Sequence, residues 1–265
     1  MNSDHSSVIL ERQGSIAIIR MNRPEISNAA SVANMARLCE LLDEAIGDPA
    51  VKAIVMSHVG RHFIAGADFA FLEDLKTTEG AEVRDKIYTH FQGAAKRLHL
   101  CAKPTVAAIG GAAITVGCEL AIACDFRIVT EHALFQQSWI KMGLIGPLGS
   151  MKLLPQIVGW AMAKDMMLRA RAVRGAELVS TGLATELVDE DNRETRAIAL
   201  AKELAALPQL SYRATKDGLW QGLQTGFEDS WAVNLLSQSL LIGSQDFREG
   251  VDAVQAKRSP SFTGR

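Results

Sequence analysis

Lys103-Pro-Thr-Val-Ala-Ala-Ile-Gly-Gly-Ala-Ala-Ile-Thr-Val-Gly117, followed by Cys118-Glu-Leu-Ala-Ile-Ala-Cys-Asp-Phe-Arg-Ile-Val129, is the stretch on which the fold turns. Between Pro104 and Cys118 no residue is charged, and then a carboxylate, Glu119, arrives where a helix should start. The apolar run 104–109 reads as a strand, the small residues after it as a turn, and Gly117 to Cys124 as a helix. A second β-prone run covers Phe126 to Thr130. An acid set directly behind a buried turn carries an energetic demand: hydrogen bonds must offset its burial, or its pKa must rise. Glu119 is therefore the first candidate for acid–base chemistry.

The same alternation continues outward. Toward the N-terminus, Val8–Glu11 and Ile16–Met21 read as strands around a hairpin at Gln13-Gly14. Val32, Met35, Leu38, Leu41, Leu42 and Ile46 recur at helical spacing, and Gly47 closes that helix. Val51–His58 is a strand. Asp68 is placed to N-cap a short helix through Leu75, and a longer helix covers Ala81 to Leu100. Strands and helices at this spacing predict an α/β fold of repeated strand-strand-helix units. Beyond Ala161 the pattern becomes mostly helical (161–171, 175–182, 191–206, 208–224 and from Phe227 on), interrupted by β-prone Ala184–Val188. The chain divides into a core of residues 1–190 and a helical C-terminal region of 191–265.

Composition excludes several classes of function. The 265 residues carry a net charge of −2, which gives nucleic acid or an anionic membrane no bulk attraction. The uncharged segment 104–118 is too short and too glycine-rich to span a bilayer. Met1-Asn-Ser-Asp-His-Ser-Ser7 does not read as a signal peptide. Cys39, Cys101, Cys118 and Cys124 show neither a CxxC pair nor metal-ligand spacing, so they read as reduced, buried thiols of a cytoplasmic protein. No metal site is expected. His90 and His99 read as structural, His62 as a surface histidine, and Cys118 and Cys124 as core packing.

Two small-residue turns stand out, Ala65-Gly66-Ala67-Asp68 and Ile114-Thr115-Val116-Gly117. Each follows a strand and precedes a helix, where backbone N–H groups are free and the helix dipole favours negative charge. Two such ends brought together would make a donor pair for an oxyanion. Small residues also simply permit close packing, and from the turns alone both readings stand.

The motifs taken together resemble the enoyl-CoA hydratase/isomerase (crotonase) superfamily. Asn22-Arg-Pro-Glu25, Asn28-Ala29 and Gly60-Arg-His-Phe-Ile-Ala-Gly-Ala-Asp68 are similar to its N-terminal signature. Lys103–Ile109, Gly117–Asp125 and Arg127 are similar to its central one. Gly143-Leu-Ile-Gly146, Leu153–Gly159 and Ser244–Gly250 follow in the right order. The resemblance implies a crotonase-like spiral of strand-strand-helix repeats with a helical C-terminal oligomerisation region, assembled as a homotrimer or hexamer. It implies an acyl-CoA thioester as substrate, with coenzyme A as part of that substrate and no other cofactor. Ser27, Ala29, Ala65, Gly66, Asp68 and Gly117 would line the substrate site. The backbone N–H groups of Ala67 and Val116 would form the oxyanion hole, and Glu119 would be the catalytic acid/base. Where the family usually has a glycine triplet, this chain reads Thr115-Val116-Gly117, and its β-branched side chains restrict the backbone. Lys257 and Arg258 would reach a CoA phosphate or lie in a solvated tail; both readings stand. Asp125 and Arg127 are expected to hold the fold.

One departure bears on the reaction. The family's second glutamate belongs to a motif resembling Phe-Gly-Gln-Pro-Glu, and this chain reads Phe135-Gln-Gln-Ser-Trp139. Trp139 takes the acid's place as a wall of the acyl pocket. Its indole N–H donates one hydrogen bond and does not exchange protons as a carboxylate does. Pro147 stands where some family members carry an acid, so mechanisms built on that residue lack it too. Hydratase/isomerase-like chemistry with Glu119 as the single acid/base is the leading expectation. The alternatives are a hydrolase of an acyl-CoA or β-diketone-like substrate, and a non-catalytic acyl-CoA binding protein.

Overall fold

The structure, a computed structural model, describes residues 7–265. The segment read above as carrying no signal peptide thus lies almost entirely outside the described residues. The first strands, β1 (Val8–Gln13) and β2 (Ile16–Met21), form the expected antiparallel hairpin. Helix α1 (Val32–Gly47) follows, opened by a capping box in which Ser31 and Asn34 satisfy each other's backbone N–H groups. Next comes β3 (Ala53–His58), every residue of which is buried. Such an unbroken buried run is the mark of a strand covered on both faces.

The stretch read as one helix over 81–100 is a succession: α2 (Phe69–Leu75) precedes α3 (Gly80–Lys86), a π-helical turn at Ile87–Phe91, and α4 (Gln92–His99). Then come β4 (Thr105–Ile109), β5 (Ala112–Ile114), α5 (Val116–Ala123), β6 (Phe126–Val129) and β7 (Leu134–Gln136). The next helix, α6 (Ser150–Leu168), starts earlier than its periodicity suggests. It contains Pro155, and Gly159 breaks its helical geometry, so only its second half carries an uninterrupted signal. The chain continues through β8 (Ala172–Arg174), α7 (Ala176–Ser180) and β9 (Glu186–Leu187). It finishes with α8 (Arg193–Ala205), α9 (Gln209–Gly222), α10 (Phe227–Ile242) and α11 (Gln245–Ala256).

The strands build two sheets. The larger has the order β1-β2-β3-β4-β6-β9 and is parallel beyond the first hairpin. One face carries the main apolar core, from Met35 and Leu38 of α1 to Leu120 of α5. The other carries Ile18, Val55, Val106 and Ile128, covered by Ala197, Ile198 and Ala201 of α8. Fully burying a valine or isoleucine side chain stabilises the fold by about 1.5–3 kcal/mol. The smaller sheet, β5-β7-β8, is made of three-residue strands that periodicity does not reveal. Isolated parallel bridges extend it, Ile64 to Ala113 and Ala30 to Ala67. Among the described residues, no helix is long and apolar enough to cross a membrane.

Candidate active site

The smaller sheet sets the site's geometry through its register. Ile64 pairs in parallel with Ala113, which pairs in parallel with Phe135. The Ile64 N–H donates to the Ala112 carbonyl at 3.1 Å, and the Ile64 carbonyl accepts from the Ile114 N–H at 3.0 Å. Parallel segments in register bring their C-terminal ends to one level. Ala67, Val116 and Ser138 each lie three residues beyond those partners, and Trp139 follows directly. Both small-residue turns therefore meet at one edge. Gly117 is needed for the approach, because a Cβ there would run into the Ile64 carbonyl oxygen.

The first turn is tied to the loop before α1. Ala65 N–H donates to the Ser27 carbonyl at 3.1 Å, Ala30 N–H to Gly66 at 2.8 Å, and Asp68 N–H to Ala30 at 2.8 Å. Asn28 anchors that loop, its side chain accepting from Arg23 N–H and donating to the Val59 and His62 carbonyls. The loop carrying Ser27 and Ala29 is thus brought beside Ala65–Asp68. Asp68 caps α2 through Ala70 N–H at 3.0 Å and meets Arg23 at 3.3 Å. Ala67 N–H has no acceptor among the described residues. Val116 N–H, first in α5, has none within its helix.

Glu119 sits one turn into α5 and is completely buried. Its Oε1 accepts from the Trp139 indole Nε1–H at 2.9 Å and from the Ser150 hydroxyl at 3.0 Å. Its Oε2 accepts from Leu148 N–H at 2.5 Å. Burial pushes the carboxyl up to about 7, while the Ser150, Leu148 and Trp139 donors hold it from rising further. The loop that supplies Leu148 and Ser150 closes tightly: a Cβ at Gly146 would strike both the Ser150 hydroxyl and Glu119 Oε1. Gln92 of α4 holds this loop through the Pro147 carbonyl at 3.0 Å. Trp139 itself is 8% exposed and opens a 3-10 turn running to Met142. It was expected to line the site; its direct bond to Glu119 was not legible. Leu148 and Ser150 were not among the expected site residues, and Gly146 was read as part of a motif without its contact to Glu119. The available signal was a Gly-Pro-Leu-Gly-Ser run, residues 146–150, at the start of a helix.

Other expectations resolve individually. His62 is only partly exposed, and its Nδ1 accepts from Ala112 N–H at 3.0 Å, so it braces the turn instead of standing free on the surface. Burial lowers its pKa. Asp125 accepts from Thr105 and from Tyr212 of α9 and pairs with Lys216 at 2.7 Å. Buried Arg127 donates to the Leu183 and Cys124 carbonyls. Both residues hold the fold, as expected. His99 packs edge-on against Trp220, and the four thiols are buried. Arg258 is engaged by Glu249 at 2.6 Å, whereas Lys257 makes no ion pair among the described residues. A cavity of about 760 Å³ opens between α6 and α9, lined by Leu153, Ile157, Tyr212, Lys216 and Trp220 among others. It does not include Glu119, Ala67 or Val116. Among the described residues no three His, Cys, Asp or Glu side chains gather as a metal site.

The model of the family described as enoyl-CoA hydratase/isomerase matches residues 11–265. The chain is 28% identical to a crotonyl-CoA hydratase of Syntrophomonas wolfei, covering 98% of this chain and 99% of the relative. It is 29% identical to the 2,3-dehydroadipyl-CoA hydratase of Escherichia coli, covering 98% and 100%. A solved enoyl-CoA hydratase of Bacillus anthracis superposes with a TM-score of 0.90 over 98% of this chain and 100% of its own. At 24% identity that likeness speaks to the fold alone.

Proposed function

The chain belongs to the enoyl-CoA hydratase/isomerase family of enzymes, and from that premise we propose that it moves a double bond in an enoyl-CoA thioester with Glu119 as its single acid/base. The Ala67 and Val116 N–H groups polarise the thioester carbonyl. Glu119 takes a proton from the carbon next to that carbonyl, and the electron pair delocalises onto the thioester oxygen as an enolate. Glu119 then returns the same proton two carbons further along, so atoms and charge balance and the double bond has shifted. A carboxyl held at about 7 is suited to both halves, since it accepts and gives up a proton near neutrality.

The observation that carries this reading is the indole on Glu119. Trp139 Nε1 lies 2.9 Å from Oε1, where the family's second acid would share the work. It donates a hydrogen bond but does not give up its proton near neutral pH as a carboxylic acid does. Adding water would require Glu119 alone to activate the water and protonate the carbon. Hydration is the second reading, favoured by what the two named relatives are called.

The proposal runs the CoA moiety along Ser27, Ala29 and Ala65–Asp68, with Trp139 bounding the acyl group. CoA arrives as part of the substrate, and no other cofactor takes part. Neighbouring copies cover α10, whose Trp231, Leu235 and Leu240 are exposed, giving a homotrimer or a hexamer. The test is a panel of 2-enoyl-, 3-enoyl-, dienoyl- and aryl-CoA esters, followed by mass and by chromatography. A shifted double bond at unchanged mass is expected. A gain of water overturns the isomerase reading in favour of hydration, release of CoA in favour of hydrolysis, and binding without turnover in favour of a non-catalytic carrier.

A further inference from the structure

Thr115 stands out because two penalties fall on one side chain. Its backbone lies at φ 48°, ψ −104°, a region that β-branched residues avoid and that persists only where the surroundings enforce it. Its hydroxyl is buried and has no partner among the described residues. A threonine in front of a helix ordinarily turns its oxygen onto an N–H of the first turn. Thr115 makes no such bond. Its main chain is pinned on both sides, the N–H donating to the Gln136 carbonyl at 2.8 Å and the carbonyl accepting from Glu119 N–H at 3.0 Å.

The side chain instead faces the other turn. Thr115 Oγ1 lies 3.4 Å from the place where a Cβ on Gly66 would stand. Gly66 precedes Ala67, and Thr115 precedes Val116, so the hydroxyl lies against one chain neighbour, and belongs to the other, of the two residues whose N–H groups are proposed to cradle the acyl oxygen. His58, Thr130 and Gln137 also have buried polar atoms without partners. None of those flanks the cradle in the chain.

We propose that the Thr115 hydroxyl is a third, side-chain donor for the acyl oxygen, one that gains its partner only when a thioester oxygen bearing negative charge lies between Ala67 and Val116. The inference rests on the acyl-CoA reading of this site. It accounts for a strained, unsatisfied residue where a glycine would relieve the strain: the hydroxyl is held ready for charge that develops in the reaction.

Acetoacetyl-CoA is the probe, because its enolate absorbs in the near ultraviolet and reports oxyanion stabilisation without turnover. Wild type and T115S, which keeps the hydroxyl, should bind the enolate alike. T115V, which keeps the shape, and T115G, which also removes the strain, should each bind it about tenfold more weakly, the ratio one charge-assisted hydrogen bond supplies. T115G should nevertheless melt at or above the wild-type temperature, which a purely structural threonine would not allow. T115V and T115G holding the enolate as tightly as wild type would overturn the inference, and so would an equal loss in T115S. A wild-type protein that binds no acetoacetyl-CoA would sink the acyl-CoA reading and the inference with it, whereas normal wild-type binding with unchanged variants sinks the inference alone.

Discussion

Helices α5 and α10 both carry a majority of apolar residues, and they differ in what covers them. All eight residues of α5 are buried, while none of the sixteen in α10 is. Large apolar side chains gain most from an interior. For α5 this chain supplies the interior, from Ile64 on one side to Leu148 and Ser150 on another. For α10 it does not: Trp231, Leu235 and Leu240 remain 60%, 70% and 72% exposed. Apolar surface left open on this scale marks a face that something else covers. Within one molecule, the region proposed for the chemistry is closed by the chain itself, and the region proposed for assembly is not.

Substituting inside the closed region should have the largest effect. Glu119→Gln keeps the side chain's size and removes its acid–base function. Turnover of enoyl-CoA substrates should fall by about 10²–10⁴-fold, with the affinity for an acyl-CoA nearly unchanged. Steady-state kinetics beside a binding titration measures both, and near-wild-type turnover would end the single-acid mechanism.

The same burial makes stability depend on pH. Glu119 is raised from 4.5 to about 7 in the folded state. Between those values the folded protein keeps a proton that the unfolded chain has released. The stability contributed by the protonated carboxyl is therefore fully present below about 4.5 and is lost as pH rises through about 7, by up to about 3 kcal/mol. His58 acts in the opposite sense: burial lowers it from 6.5 to about 3, so stability falls as pH drops below 6.5. Comparing wild type with Glu119→Gln cancels the histidine. In urea unfolding at pH 5 and pH 8, wild type should lose ground to the variant as pH rises, and parallel behaviour would contradict the assignment.

The open region should respond least in stability and most in assembly. Leu235→Glu combined with Leu240→Glu should change the stability of the isolated subunit by no more than about 0.5 kcal/mol, as exposed positions do. Sedimentation should show the oligomer breaking into smaller species. A wild type that sediments as a monomer would break the comparison itself.

How far these features were legible depended on how local they are. The α1 helix, the β1–β2 hairpin and the elements β4, α5 and β6 carry their periodicity and turn residues within a few positions, and the reading of them holds. The strands β5, β7 and β8 are three residues long, too short for alternation to show. The early start of α6 was masked by Pro155 and the break at Gly159. At the site, Glu119 was found because a charge interrupts a long uncharged run. Ser150 was missed because the masked start of α6 left it without any periodic context.

Order and composition of the motifs by themselves determined the family, the candidate acid and the absence of a second acid at position 139. Those are facts about which residue stands where in the chain. Only the tertiary structure decided that Trp139 donates to Glu119, that Leu148 and Ser150 complete its hydrogen bonds, and that Thr115 is strained with its hydroxyl turned toward Gly66. The partners of Glu119 lie 20 to 31 positions along the chain from it. Contacts of that span follow from sheet register and loop closure, which are settled when the whole core packs and leave no periodic trace in the sequence.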